Sequence, residues 1–170
     1  LTFMLALGIG AGTTIRVSHQ LGKGDLPAVR MASNASIHLV VLINTFAAAL
    51  MIGLRHYIPL LFTEDAEVIA IASQLLIFAG LYQYSDGLQA VGAAMLRGIT
   101  DVKVPMVIAF VSYIIVGLSV GLVCAFPLDM GAAGIWVGFI VGLTFAAVLF
   151  HTRFNKKYRK MCLSVASIEK

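Results

Sequence analysis

Asp86 is the one acid in the sequence that falls inside an apolar stretch long enough to cross a bilayer. It stands in Leu81-Tyr82-Gln83-Tyr84-Ser85-Asp86-Gly87-Leu88-Gln89, a polar island in a hydrophobic run. A charge near the bilayer centre costs roughly 2.5–3.5 kcal/mol on insertion scales, so such a group normally faces protein or water and binds something there. On a helical wheel Ala79, Tyr82, Gln83, Gln89, Ala90 and Ala93 share its side. Ile77, Leu81, Tyr84, Leu88, Val91 and Met95 take the other. Tyr82, one turn earlier, can donate a hydrogen bond to the carboxylate. Gln89, about one turn later, can bind either protonation state. Burial favours the protonated form of a carboxylic acid, and a bound cation favours the ionised form. Protons, Na⁺ and organic cations would compete for such a group, which is the physical basis of an antiporter. The other reading is a neutral acid that packs one helix on another.

The remaining polar and small residues carry weaker signals. Gly8-Ile9-Gly10-Ala11-Gly12 has the look of a dinucleotide loop but lacks a preceding strand and lies in an apolar stretch, so that reading is rejected. Gly134, Gly138 and Gly142 form one small-residue ridge, and Gly117 with Gly121 forms another; both are expected to be helix-packing surfaces. Asn44 and Thr45 fall mid-span and either share the cavity of Asp86 or satisfy their own helix. His38 reads as a packed or pore-lining neutral imidazole, with a proton relay as the alternative. His19, His56 and His151 fall at membrane edges. Trp136 suits an interfacial anchor. Cys124 and Cys162 have no metal-ligand spacing and are expected as free thiols on opposite sides of the membrane. No nucleophilic triad, phosphate loop or metal-ligand set is visible. The chain therefore reads as a non-enzyme without a cofactor, and the one metal considered is Na⁺ at Asp86.

The elements that must position these residues follow from composition. The chain has 170 residues, 60% of them hydrophobic and 12% charged, with a mean hydropathy of +0.97. Soluble domains carry roughly 25% charged residues, so the expected fold is all-α, a polytopic transmembrane helix bundle. Four full spans are predicted at about 31–54, 68–95, 104–126 and 131–151, each near the ~20 residues that a crossing needs. A shorter apolar stretch, from Leu1 to Ile15, precedes them and is expected to be a truncated span. The partly polar stretch 28–36 is predicted to run along the interface before its span. Asp25 and Asp101 are each placed to cap the helix that follows. Residues 1–152 then form a partial transmembrane lobe and 153–170 a basic tail.

Charge placement gives an orientation. Eleven of the twelve Lys and Arg residues fall on one face, with only Arg55 on the other. The positive-inside rule puts that face, and the C-terminus, in the cytoplasm. The densest run, Arg153-Phe154-Asn155-Lys156-Lys157-Tyr158-Arg159-Lys160, directly follows a span, where topology-setting charge belongs. Nucleic-acid binding is rejected for that reason, and a lipid-binding role for the run is possible but unspecific.

Four segments together resemble the multidrug and toxic compound extrusion (MATE) family of the bacterial NorM type. They are Gly10-Ala11-Gly12-Thr13-Thr14-Ile15-Arg16-Val17-Ser18-His19-Gln20-Leu21-Gly22-Lys23-Gly24-Asp25, Tyr82-Gln83-Tyr84-Ser85-Asp86-Gly87-Leu88-Gln89, Leu96-Arg97-Gly98-Ile99-Thr100-Asp101 and Gly131-Ala132-Ala133-Gly134-Ile135-Trp136-Val137-Gly138. The resemblance covers essentially the whole chain. It implies a twelve-helix transporter of two lobes, in the bacterial inner membrane, that exports organic cations and amphipathic drugs in exchange for Na⁺ or H⁺. The chain would be the end of helix 8 through helix 12, within the C-terminal lobe. Asp86 matches the family's helix-10 aspartate and Tyr82 the tyrosine one turn before it; Gln83 and Gln89 are weaker candidates for the same cavity. The N-terminal lobe, and the helix-7 glutamate that completes the site, would lie outside the chain. A lipid-linked oligosaccharide flippase of the same superfamily and a non-transporting membrane fragment are the alternatives.

Overall fold

The computed structural model describes residues 2–168, all of whose regular structure is helical. Leu1, Glu169 and Lys170, which entered the reading of the first stretch and of the charges, lie outside the described residues. The helices are α1 (Thr2–Gly22), α2 (Leu26–Gly53), α3 (Ala66–Gly98), α4 (Lys103–Phe110), α5 (Leu118–Ala125) and α6 (Ala132–Ile168). A single 3-10 turn, Pro59–Leu61, lies between α2 and α3. A π-helical stretch, Val111–Gly117, joins α4 to α5 without a break. Four units are long and apolar enough to cross a membrane: α2, α3, α4 through α5, and α6. The chain is a multi-pass membrane protein, and its helices satisfy their own backbone polar groups as a hydrocarbon solvent demands.

Three boundaries differ from the sequence reading, each for a local reason. Asp25 caps α2, its carboxylate accepting from the Ala28 amide at 2.9 Å. With Pro27 in the first turn, the helix runs unbroken from Leu26, so 28–36 belongs to the span helix and not to a separate interfacial piece. Asp101 caps nothing. Val102 stands at the N-cap of α4 without a side-chain bond, because the Asp101 carboxylate is taken by Arg153. The basic stretch after 152 is the continuation of α6 rather than a separate tail.

α3 is the central helix, packed on α1, α2 and α6, while α4 and α5 lie against α6. From Gln83 to Leu96 it is covered on most sides. Val91 and Met95, on the bulky side of the wheel, are 0% and 2% exposed. Towards the basic end that side therefore packs on protein, whereas Leu81, on the same side, is 51% exposed. The densest packing lies towards the basic end, where Val17, Val29, Val91, Leu96, Phe150 and Phe154 form the centre of the core. α1 is drawn close by small residues: a Cβ on Gly98 would come within 2.6 Å of Val17, and Thr14 bonds the Ala94 carbonyl at 3.2 Å. Gly8, Gly10 and Gly12 all lie within this helix.

The two glycine ridges meet each other. A Cβ on Gly138 would fall 2.5 Å from the Gly121 Cα, and one on Gly142 would fall 2.9 Å from the Gly117 Cα. Backbone therefore packs on backbone between α5 and α6, an approach that only small residues allow in a membrane. Gly117 closes the π-helical stretch.

Candidate functional site

Asp86 lies on the buried part of α3 with 9% of its surface exposed. It forms the floor of a cavity of about 240 Å³ whose walls include Phe3, Asn44, Met51, Tyr82, Gln83 and Trp136. Phe3, Met51 and Trp136 come from the parts of α1, α2 and α6 that lie away from the basic face, and Tyr82 and Gln83 from the middle of α3. The cavity thus lies on the side of Asp86 away from the basic end, where Val17, Val29 and Phe154 are packed in the core.

Among the described residues no Lys, Arg or His pairs with Asp86, and no side chain donates a hydrogen bond to it. The expected bond from the Tyr82 hydroxyl is not formed. Tyr82 instead sets its ring edge-to-face against Trp136, with centroids 5.6 Å apart. Trp136 makes a second such contact with Phe139 at 6.4 Å. Its indole is a cavity wall, a role that the reading of Trp136 as an interfacial anchor did not include. The rings of Tyr82 and Trp136 give the cavity two aromatic surfaces above one carboxylate.

Gln83 supplies a further acceptor. Its side chain is buried, its Nε2 reaches the Met51 sulfur at 3.1 Å, and its Oε1 has no hydrogen-bond partner. A buried amide oxygen left unpaired costs about 1–3 kcal/mol, which a bound donor or cation would offset. Asn44 fixes this part of the wall. Its Nδ2 donates to the Gln83 backbone carbonyl at 2.6 Å, and Gly87 leaves the room for that amide, since any Cβ there would overlap it. Thr45 points elsewhere, accepting from the Tyr84 hydroxyl at 3.0 Å on an exposed face. Ser85 and Thr144 share a 2.7 Å bond that ties α3 to α6 directly beside Asp86.

Gln89 is not brought into this cavity. It lines a separate cleft with Arg97, Pro105, Met106 and Phe150, towards the basic end. Three residues along a helix also advance the chain by about 4.5 Å, and here that step crosses from the cavity into the packed layer. His38 is exposed on α2 and reaches no titratable partner among the described residues. His151 is half-buried rather than at an open edge: its Nδ1 bonds the Ala147 carbonyl at 2.8 Å and its ring lies against Gly92. Cys124 and Cys162 are free. The residues that the sequence reading missed as cavity wall are Phe3, Met51 and Trp136. Apolar side chains carry no signal of which cavity they line, although Trp136 already stood in one of the four distinctive segments.

The arrangement has the chemistry of a cation receptor. It offers one carboxylate without a counter-charge, one unpaired amide oxygen, and aromatic faces that attract organic cations.

Comparison with known proteins places the chain. The MatE family model matches residues 1–123. The probable multidrug resistance protein NorM of Xylella fastidiosa (strain 9a5c) is 37% identical over 161 residues, covering 95% of this chain and 34% of that protein. The multidrug resistance protein MdtK of Pectobacterium atrosepticum is 42% identical over 159 residues, covering 91% of this chain and 35% of that protein. The chain thus spans about a third of the length of the curated relatives it matches. Among solved structures, the eukaryotic MATE transporter AtDTX14 superposes with a TM-score of 0.83 at 24% identity, over 94% of this chain and 37% of that one. That likeness establishes the shared fold.

Proposed function

The chain belongs to the MatE family, and on that footing we propose that it forms part of a multidrug efflux antiporter of the inner membrane. Asp86 takes a coupling cation, Na⁺ or H⁺, and a cationic or amphipathic drug in turn. The observation that carries this reading is a buried carboxylate with no cationic side chain among the described residues to pair with it. A buried ion without a partner is strongly unfavourable. A proton, a metal cation or a positively charged drug each removes the penalty, and only one of them can do so at a time. Exchange follows from that exclusion.

The surroundings support the same reading. Tyr82 and Trp136 offer ring faces to an organic cation, and the Gln83 amide oxygen and Asp86 offer hard oxygens to Na⁺. With the basic face in the cytoplasm, the cavity extends outwards from Asp86, towards the side to which a drug is released. Alternating access would come from movement of this lobe against the rest of the transporter. The membrane potential contributes about 2.3 kcal/mol per charge per 100 mV to such an exchange. A flippase for anionic lipid-linked sugars would need basic groups at the cavity, and none lines it.

The test is Asp86→Asn in the protein that contains this chain, with export of a cationic dye measured in cells at matched expression. Loss of export to background is expected. Undiminished export would remove Asp86 from the mechanism.

A further inference from the structure

A second cleft, of about 280 Å³, lies at the basic end, between α4 and α6. Its rim carries Arg153, Lys156, Lys157 and Lys160, and its floor is formed by Ile108 and Leu149. Spacings of three and four residues put the four cations on one side of α6. Among the described residues Asp101 is the one acid that reaches them. It binds Arg153 through two hydrogen bonds, of 2.6 and 3.1 Å, and lies 3.7 Å from Lys157. Lys156 and Lys160 are exposed and have no acidic partner among the described residues. The cleft therefore keeps a net positive charge, with its two inner cations held in place by Asp101 and its two outer cations free.

Its level in the membrane is fixed by α6. That helix rises about 1.5 Å per residue from Ala132, so it has crossed the ~30 Å of hydrocarbon by about Thr152. The four cations follow at once, at the height of the phosphate groups, and the apolar floor lies just below them, at the height of the acyl chains. A free anion has no use for that floor. A phospholipid needs both parts.

We propose that this cleft is a binding site for an anionic phospholipid of the leaflet at the basic end. The headgroup phosphate sits between Lys156 and Lys160, and an acyl chain lies over Ile108 and Leu149. The site is separate from the Asp86 cavity and does not depend on the function proposed for it. It also gives the long cytoplasmic extension of α6 a further anchor besides Asp101 and Arg30, the latter bonding Asn155 through its guanidinium, which lies 5.7 Å from the centre of the Tyr158 ring.

The experiment is native mass spectrometry of the purified protein that contains this chain, titrated in detergent with phosphatidylglycerol or phosphatidylcholine. Phosphatidylglycerol is expected to add one tightly held lipid, and phosphatidylcholine none. Lys156→Gln and Lys160→Gln should each weaken that adduct about fivefold, the equivalent of about 1 kcal/mol per basic residue near a lipid surface. Arg159→Gln removes the same charge from an exposed position that does not line the cleft, and should leave the adduct intact. Equal loss in Arg159→Gln would mean diffuse attraction and would overturn the site. So would equal retention of the two lipids, or displacement of phosphatidylglycerol by an equal concentration of inorganic phosphate. Melting of the unaltered protein gives a second measure: phosphatidylglycerol should raise its midpoint more than phosphatidylcholine does, and equal effects would again count against the cleft.

Discussion

Asp86 and Asp101 are both buried acids, 9% and 7% exposed, at two levels of the same bundle. Their surroundings are opposite. Asp101, in the turn between α3 and α4, is held by Arg153 and Lys157 from α6. The Arg153 hydrogen bond keeps its carboxyl below the usual carboxylate range, with the charges of Arg153 and Lys157 adding to the effect. Asp86, mid-span, has a cavity in place of a cation. The difference teaches how a membrane protein separates fastening from work. A charge whose partner is built into the chain ties elements together. A charge whose partner is left out has to take one from solution.

The largest effect that would sharpen this contrast is the loss of export in Asp86→Asn without a loss of folded protein. Melting of that variant should stay close to the starting protein, because no built-in partner is abandoned. A collapse in yield or melting temperature would instead make Asp86 a fastening residue and erase the distinction. Asp101→Asn should do the reverse, destabilising the bundle by about 1–2 kcal/mol, since a charge-assisted pair is lost but Arg153 stays partly solvated. Export per folded molecule should persist. Combining Asp101→Asn with Arg153→Gln should cost less than the sum of the two single changes, because each removes the same bond. If the two costs simply add, the pair is not what holds the turn.

Acid gives a gentler separation. The Asp101 carboxyl is depressed in the folded state, so its contribution is fully present above the ordinary carboxylate range, near pH 4, and fades as the pH falls below it. Melting of the unaltered protein should therefore drop faster than that of Asp101→Asn on acidification below about pH 4. Parallel curves would contradict the assignment. The smallest effect is expected from Trp136→Phe, which keeps a ring beside Tyr82 but reduces its area. Export of bulky cationic dyes should fall a few-fold, with little change in melting, whereas no change for any dye would take Trp136 out of the cavity wall.

Much of this was visible in the chain, and the reasons differ by element. The four spans were legible because a bilayer sets both the length and the polarity of a crossing helix, whatever surrounds it. Asp86 was legible for the same reason: one acid in a long apolar run stands out, although the sequence alone left open whether it packs a neighbouring helix or faces a cavity. The glycine spacings were visible too, but which ridge meets which was not. Spacing marks a smooth surface and does not name its partner. The role of Asp101 was misread because capping is a local pattern, whereas Arg153 lies 52 residues away in the chain. Gln89 shares a helical side with Asp86 and still lines another cleft, because the packed layer passes between them. The cavity role of Trp136 was not legible because an aromatic ring near a span end suits an interface and a cavity equally well.

The sequence by itself determined that this is a multi-pass helical membrane protein with one intramembrane acid and one strongly basic end. Those properties follow from solvent and charge, which act on each residue where it stands. Only the tertiary structure decided which acid is paired and which is left for a ligand, since that depends on what a neighbouring helix brings within 3 or 4 Å. It set Arg153 against Asp101, and it set Tyr82, Gln83 and Trp136 around an Asp86 that nothing in the described chain neutralises.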